Sequence, residues 1–538
     1  MFSIGREEKL LITKIHLFSI LDGIDNLGFR KFAAFARSLN DDTEISFLVP
    51  GQYRGLLSAL LMKGEGQLEA AEVSELAAEL AKADLVGFSS MTGYAHVVTE
   101  IIAEIRRISP KTYIIWGGIH PIMEPENAIQ FVDAICTGEG EFAFEQFYKA
   151  YVAGKDYLST PGFWFNTPSG VIKNQNLSLM TSEMMSHLPF QIYHDGEKIY
   201  KKGKGLVPIT TMDFVKQDSL AYPMFWTIGC PFKCTYCGNS KLVDNDPAYR
   251  KLRHSSVLYV INEIKRAINK NPHISTIQFY DDSFMALRPD ILRNFAEQYK
   301  AEIGLPFVVN GAIPNYVSDE KVQILTEAGM NRVRMGIQSG SQRILDFYKR
   351  PTTIDRIQRA TKIFNKYVSF MIPPAYDIIL DNPIEKTEDT LATLDLIYNM
   401  PRPFTLNIFS LRVFPNTMLA KSFKDTGIDT QMRNSNYFKH IPSFGNCLLY
   451  LLTIWKIPRP LYSCLRRFVK PAHEDNKHHY VLMIFLRLLY LVKRASSHLR
   501  FLEFTNLPGV FGYIFYRLGI IRWWRHHMVR RFSMNVKP

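Results

Sequence analysis

The sequence predicts an α/β protein with an N-terminal doubly wound parallel sheet, a partial (β/α)6 barrel and a C-terminal helical region that is basic and amphipathic. Three observations predict it. Short apolar runs alternate with helical patterns from Leu10 to about residue 150; a second alternating series starts at Ala221; and beyond about residue 425 the pattern changes to apolar, aromatic helices studded with Arg and Lys. At roughly 150 residues per domain, a chain of 538 residues has room for three or four buried cores. We divide it into residues 1–150, a connector 151–220, the barrel 221–425 and the helical tail 426–538.

In the first segment the runs LLITKIHLF, EISFLVP, DLVGFSS, YIIWGG and DAICTGEG read as strands, and GFRKFAAFARSL, SELAAELAKA, VVTEIIAEIRRI and EFAFEQFYKAY as the intervening helices. Small residues close the strands: Ser89 and Ser90, Gly117 and Gly118, Gly138 and Gly140. Open α/β sheets bind ligands at that carboxyl edge, although Gly and Ser are also the ordinary punctuation of turns. Residues 151–220 are rich in breakers and show little periodicity. From Ala221, MFWTIG, STIQFY, PFVVN, NRVRMGI, AYDIIL and FTLNIFSL read as the six barrel strands, whose carboxyl ends form the working edge.

Composition excludes several classes. Hydrophobic residues make up 47% and charged residues 21%, which is globular rather than disordered. Six cysteines are too few for a disulfide scaffold, and three of them crowd together, which fits a reducing, cytoplasmic setting. The N-terminus has acids before its apolar run and reads as a first strand rather than a signal peptide. The uncharged stretch from Ile441 to Trp455 is shorter than the roughly 20 residues a spanning helix needs.

The net charge of +13 is unevenly placed, because residues 451–538 hold 16 Lys and Arg against 3 Asp and Glu while the rest is balanced. The tail therefore faces an acidic partner, either an anionic membrane surface or a nucleic acid. YVLMIFLRLLYLVKRA and GYIFYRLGIIRWWRHHMVRRF read as interfacial helices, with Trp523 and Trp524 at headgroup level and Arg522, Arg525, Arg530 and Arg531 towards phosphates. A helical cap on the barrel with a solvated basic face accounts for the same pattern.

The strongest chemical signal is GCPFKCTYCGN, which sets Cys230, Cys234 and Cys237 in C-x3-C-x2-C spacing just after the first barrel strand. Three thiolates on one tight loop can hold three irons of a cubane and leave the fourth open. A structural zinc site commonly closes with four ligands, and no fourth Cys or ligand-spaced His lies nearby. Cys136, Cys447 and Cys464 sit in apolar runs and read as small hydrophobes.

The cysteine loop, with Tyr236 before its last Cys, resembles that of the radical S-adenosylmethionine enzymes. In that family the cysteines bind a [4Fe-4S] cluster whose open iron chelates S-adenosylmethionine, and one electron yields a 5′-deoxyadenosyl radical. By the resemblance, Tyr280, Asp281 and Asp282 stand where the family places a polar group for the amino nitrogen. VRMGIQSGSQRIL is similar to the fourth-strand motif, making Arg334, Gln338 and Ser339 candidates for the carboxylate or ribose; a structural salt bridge is the rival role for Arg334. The fifth-strand pattern GxIxGxP is kept only in part, with Asp377 and Asp381 in place of its glycines. Either aspartate also reads as a solvated loop charge.

The first segment resembles the cobalamin-binding module fused to many such enzymes, through VGFSSMT, WGGIHPIMEPE and DAICTGEGE. The resemblance covers about residues 10–425 and places Ser89, Ser90, Gly117, Gly118 and Gly138 along the cleft for the nucleotide tail. Where many cobalamin proteins carry DxHxxG this chain has GIDNLG, with Asp25 at the histidine place and Gly28 at the glycine, so the resemblance implies no protein histidine on cobalt. His16 and His120 read as ordinary strand-end or loop residues.

The cofactors implied are a [4Fe-4S] cluster, S-adenosylmethionine and cobalamin, and the first functional expectation is methylation of an unactivated carbon in a small hydrophobic substrate. An external electron donor such as flavodoxin or ferredoxin is implied, as is peripheral contact of the tail with the inner face of the membrane; nucleic acid is not expected. A radical cyclase is the alternative. A tRNA methylthiotransferase would need three cysteines where the N-terminal region has only Cys136, and retention of all three cluster cysteines argues against a non-catalytic cobalamin protein.

Overall fold

The computed structural model describes residues 14–50, 68–428, 440–504, 507–524 and 527. They form two compact units: residues up to 180 with 187–210, and residues 181–186 with 211 onward.

The first unit is built on a nine-stranded sheet. Its centre is β1 (Ile15–Ile20), β2 (Glu44–Leu48), β3 (Leu85–Ser90), β4 (Tyr113–Gly117) and β5 (Ala134–Cys136), all parallel in the order 5-4-3-1-2. This is the doubly wound order whose chain direction reverses between β1 and β3. β1 is fully buried, which explains its continuous apolar reading. Within it His16 is a core histidine: its Nε2 lies 2.8 Å from Ser46 Oγ, and burial lowers its pKa to about 4. The first residues of the predicted strand, Leu10–Thr13, lie outside the described residues.

The segment read as a connector supplies both edges of this sheet. β6 (Phe163–Thr167) and β7 (Gly170–Lys173) add antiparallel beside β5, whereas β8 (Lys198–Lys201) pairs parallel with β2 and carries β9 (Gly205–Pro208). The turn-rich sequence concealed short hairpin strands, which have too few residues for a periodic signal. A buried cation locks this edge to the centre: Arg30 is wholly buried and donates to Ile24 O, Ile192 O and Glu197 Oε1 at 2.6, 2.7 and 3.1 Å.

The second unit holds β10 (Ala221–Met224), β13 (Thr276–Tyr280), β14 (Phe307–Ala312), β15 (Met330–Gln338), β16 (Ala375–Leu380) and β17 (Thr405–Ser410), six parallel strands in chain order with a helix after nearly every one. A separate ribbon pairs β11 (Thr227–Ile228) with β12 (Arg253–His254). The run MFWTIG is therefore not one strand. Asp281 Oδ1 accepts the Trp226 and Thr227 amides at 3.1 and 2.5 Å and draws the backbone out of the sheet after Met224.

Among the described tail residues, helices span Phe444–Ile454, Arg459–Arg466, Tyr480–Arg500 and Gly509–Arg517. The last predicted helix breaks at Gly519, which takes φ +75° and ends the segment before a short turn of helix at 520–524. Arg525, Arg530 and Arg531 lie outside the described residues. No described helix is long and apolar enough to cross a membrane.

Candidate functional site

The cysteine loop runs between β11 and the helix Asn239–Asn245 and is tied down at both ends. Gly229 opens it at φ +110°, where a Cβ would meet Lys251 O at 2.6 Å and Tyr249 O at 2.8 Å, so only glycine fits. Cys230 N then donates to Tyr249 O, Thr235 N to Tyr348 O, and Cys237 N to Cys234 O, at 3.2, 2.9 and 3.1 Å. Asp282 anchors the loop from the end of β13: its carboxylate accepts from Asn239 Nδ2 at 2.7 Å, Tyr249 Oη at 2.9 Å and Gly229 N at 3.4 Å.

The thiols face an apolar pocket of Phe232, Ile313 and Tyr316. Burial pushes the Cys230 thiol up to about 11 and that of Cys237 to about 12, so neighbouring positive charge is needed to hold them as thiolates. Arg350 supplies one such charge. It is 6% exposed, and its Nη1 lies 3.8 Å from Cys234 Sγ and 3.4 Å from Tyr236 Oη, while Nη2 donates to Gly336 O at 2.6 Å. Sequence reasoning missed Arg350, Asn239 and Tyr249. The signal was a demand for a counter-charge near three thiolates, but nothing in the order of residues says which arginine meets it.

Among the described residues no three His, Cys, Asp or Glu side chains converge as ligands of a single ion. A cubane makes a different demand, since each thiolate takes its own iron. Three thiols on one braced loop, partly enclosed by apolar side chains and facing a buried guanidinium, fit that group.

Along the sheet, Arg334 Nε donates to both Asp377 oxygens at 2.8 and 2.9 Å, and Asn407 Nδ2 donates to Asp377 Oδ1 at 2.8 Å. The salt bridge raised as a rival role for Arg334 is present. Gln338 ends β15 with φ +74°. Ser339 is 1% exposed; its Oγ accepts from Ser341 N and lies 3.3 Å from Thr393 Oγ1. Asp281 is buried behind the loop, whereas Tyr280 is 43% exposed at the strand end.

Neither substituted aspartate is a solvated loop charge. Asp377 is ion-paired, and Asp381 is 5% exposed, accepting from Ser410 Oγ, Ile441 N and Asn446 Nδ2 at 2.8, 3.2 and 2.9 Å. Asp381 keeps φ +60°, the left-handed backbone that favours glycine. Of the remaining cysteines, Cys136 and Cys447 are buried as expected of small hydrophobes, but Cys464 is exposed because it falls on the outer side of its helix.

In the first unit, the loops after β1 and β3 flank the point where strand order reverses. Asp22 and Tyr94 join them by a side-chain hydrogen bond. Asn26 bonds Ser19 Oγ at 2.9 Å and caps the helix Leu27–Leu39, whose second residue, Gly28, opens on free space. Asp25 Oδ1 lies 2.5 Å from where a Cβ on Gly23 would stand, so the glycine in GIDNLG makes room for this aspartate, and burial raises its pKa.

Gly118 has φ +86°, and a Cβ there would lie 2.8 Å from Ser89 Oγ and 3.1 Å from Ser90 N. Ser89, Gly117 and Gly118 thus meet at the carboxyl ends of β3 and β4, giving small residues and close backbone where a nucleotide tail needs them. Ser90 is turned inward, accepting from Trp116 Nε1 at 3.0 Å, and Gly138 packs by Asn176. His120 is 1% exposed against Trp116, and burial lowers its pKa to about 4. This cradle fits cobalamin.

Residues 224–397 match the Radical SAM superfamily and residues 63–148 match the B12 binding domain. The chain belongs to the radical S-adenosylmethionine enzymes that carry a cobalamin-binding domain. The cofactors of this radical enzyme are a [4Fe-4S] cluster, S-adenosylmethionine and cobalamin. It is 23% identical over 370 residues to an uncharacterized methyltransferase of Pyrococcus horikoshii, covering 66% of this chain and 75% of that one. It is 24% identical over 305 residues to cytidylyl-2-hydroxyethylphosphonate methyltransferase of Streptomyces wedmorensis, covering 52% and 54%.

Among solved structures, the cobalamin-dependent S-adenosylmethionine radical enzyme OxsB, with aqua-cobalamin and S-adenosylmethionine bound, shares the fold of this radical enzyme. The TM-score is 0.61 at 15% identity, over 96% of this chain and 76% of that one. Radical enzymes of this superfamily draw an electron from a donor.

Proposed function

We propose that the protein methylates an unactivated carbon of a small hydrophobic molecule. The observation that carries the reading is that one chain holds two prepared cradles: the braced cysteine loop and the small-residue edge at the β1/β3 reversal. The similarity to methyltransferases supports it. Cys230, Cys234 and Cys237 are assigned to the cluster, and Tyr236, Asp281, Asp282, Arg334, Gln338 and Ser339 to the surroundings of S-adenosylmethionine. Ser89, Gly117, Gly118 and Gly138 are assigned to cobalamin, and Ser90, turned inward onto Trp116, to bracing that edge. Bound together, these cofactors supply a carbon-centred radical and a transferable methyl group.

The chain's own residues hold and shield. Asp282 fixes both ends of the loop that presents the thiols, Arg350 offsets their negative charge, and Phe232, Ile313 and Tyr316 keep water from the thiols. Arg334 is held by Asp377 in one orientation on β15, ready to present its remaining N–H groups to a carboxylate. The reading includes an external donor such as flavodoxin or ferredoxin, and a cytoplasmic setting with the tail against the inner face of the membrane.

The test is product analysis on anaerobically purified protein loaded with iron, sulfide and cobalamin. A methylase forms 5′-deoxyadenosine and S-adenosylhomocysteine together. 5′-Deoxyadenosine without S-adenosylhomocysteine would overturn methylation and point to ring formation.

A further inference from the structure

The helix Tyr480–Arg500 carries two apolar stripes. The inner one, Met483, Leu486 and Tyr490, is buried, and Tyr490 Oη donates to Leu406 O on β17. Lys493 Nζ secures the helix further, donating to Thr453 O at 2.8 Å and Ile454 O at 2.9 Å. The outer stripe is in water: Val481 is 84% exposed, Val492 67%, Ile484 58%, Phe485 56%, Leu491 52% and Leu488 48%. At 3.6 residues per turn these six positions fall within a sector of roughly 120°, the width of a face built to be covered. Soluble monomers seldom leave a stripe of this kind in water.

We propose that this outer face lies in the plane of an anionic lipid bilayer. Charge selects that occupant. Residues 451–538 hold 16 cations and 3 acids, and one acid, Glu503, is buried on His498. A second copy of this chain would bring a like-charged region against it, whereas acidic headgroups complement it and acyl chains accept the apolar stripe. The helix lies along the surface rather than through it, since Arg487, Lys493, Arg494 and Arg500 interrupt its apolar run and it does not qualify as a span. The proposal deepens, and rests on, the peripheral contact in the proposed function; it does not depend on methyl transfer.

The experiment is flotation of the full-length, cofactor-loaded protein with vesicles of phosphatidylcholine alone or with one third phosphatidylglycerol. The wild type floats with the anionic vesicles, less so at high salt. Combined Ile484→Ser, Phe485→Ser and Leu488→Ser, all on the exposed stripe, weakens binding by roughly a hundredfold or more, from the apolar area each side chain buries. Three results would overturn the proposal: no flotation, flotation unchanged in the triple variant, or a wild-type dimer in sedimentation that the variant dissolves. 5′-Deoxyadenosine formation, measured in parallel without lipid, stays at the wild-type level in the variant. Its loss from the wild type would sink the catalytic reading and leave the flotation result standing.

Discussion

Replacing Arg350 tests whether the cysteine loop is tuned by the buried cation that lies against it. Its Nη1 lies 3.8 Å from Cys234 Sγ. At that distance and an effective dielectric constant of about 20, two unit charges interact by about 4 kcal/mol, equivalent to roughly 190 mV for one electron. Cluster charge is spread over several atoms, so a quarter to a half of that bound is expected, a shift of about 50–100 mV. Arg350→Gln removes a cation that favours the more negative, reduced state, and the midpoint potential becomes more negative. Arg350→Lys keeps the charge and returns much of the shift. The assay is a redox titration followed by electron paramagnetic resonance, on protein whose iron content matches the wild type. A fully iron-loaded Arg350→Gln protein whose midpoint stays within about 20 mV of the wild type would refute the argument, because even a tenfold dilution of the interaction would then overstate it.

The other expectations are more local. Gly118→Ala forces a Cβ to 2.8 Å from Ser89 Oγ at φ +86°, so reconstituted protein should lose most of its cobalamin while keeping its iron; a wild-type cobalamin ratio would contradict the cradle. Burial pushes the Asp281 carboxyl up to about 7, above its unfolded value near 4, so the folded state binds the proton more tightly. Its contribution to stability is full below about pH 4 and is lost as pH rises through about 7. Asp281→Asn should flatten that part of the unfolding profile, and parallel profiles would rule the linkage out. Asp381→Gly relieves a left-handed residue by about 1 kcal/mol but removes acceptors for Ser410, Ile441 and Asn446, for a net loss of about 2–3 kcal/mol. It should lower Tm and speed amide exchange in Phe444–Ile454; an equal or higher Tm would mean the carboxylate is dispensable.

What the sequence made legible follows from the range of the interactions concerned. The five central strands of the first sheet and the last five of the second could be read because buried parallel strands are continuous apolar runs, and the helices between them show a single apolar face, whereas the first barrel strand, Ala221–Met224, lies ahead of the run read for it. The edge strands Phe163–Thr167 and Lys198–Lys201 could not. They run for only four or five residues, and their place is set by pairing with β5 and β2. The break in MFWTIG has the same origin: the residue that diverts it, Asp281, follows the next barrel strand.

The site divides along the same line. Cys230, Cys234 and Cys237 were legible because one short loop carries all the chemistry, and the spacing is itself the geometry. Arg350 and Tyr249 reach the loop from other elements, so their roles exist only once the fold does. Asp381 shows why substitution at a motif position is a poor guide on its own. Read as sequence, a glycine place filled by aspartate looks like loss of the left-handed turn. The backbone nevertheless keeps φ +60°, and the carboxylate that replaced the glycine hydrogen takes three donors, two of them from the segment leading into the tail. The motif's conformation has been retained, and its side-chain position has been put to fastening the helical tail onto the end of β16. A chain that fastens its tail through a residue of the cofactor edge couples the placement of one to the integrity of the other, so the tail cannot be deleted at Ile441 as an independent appendage.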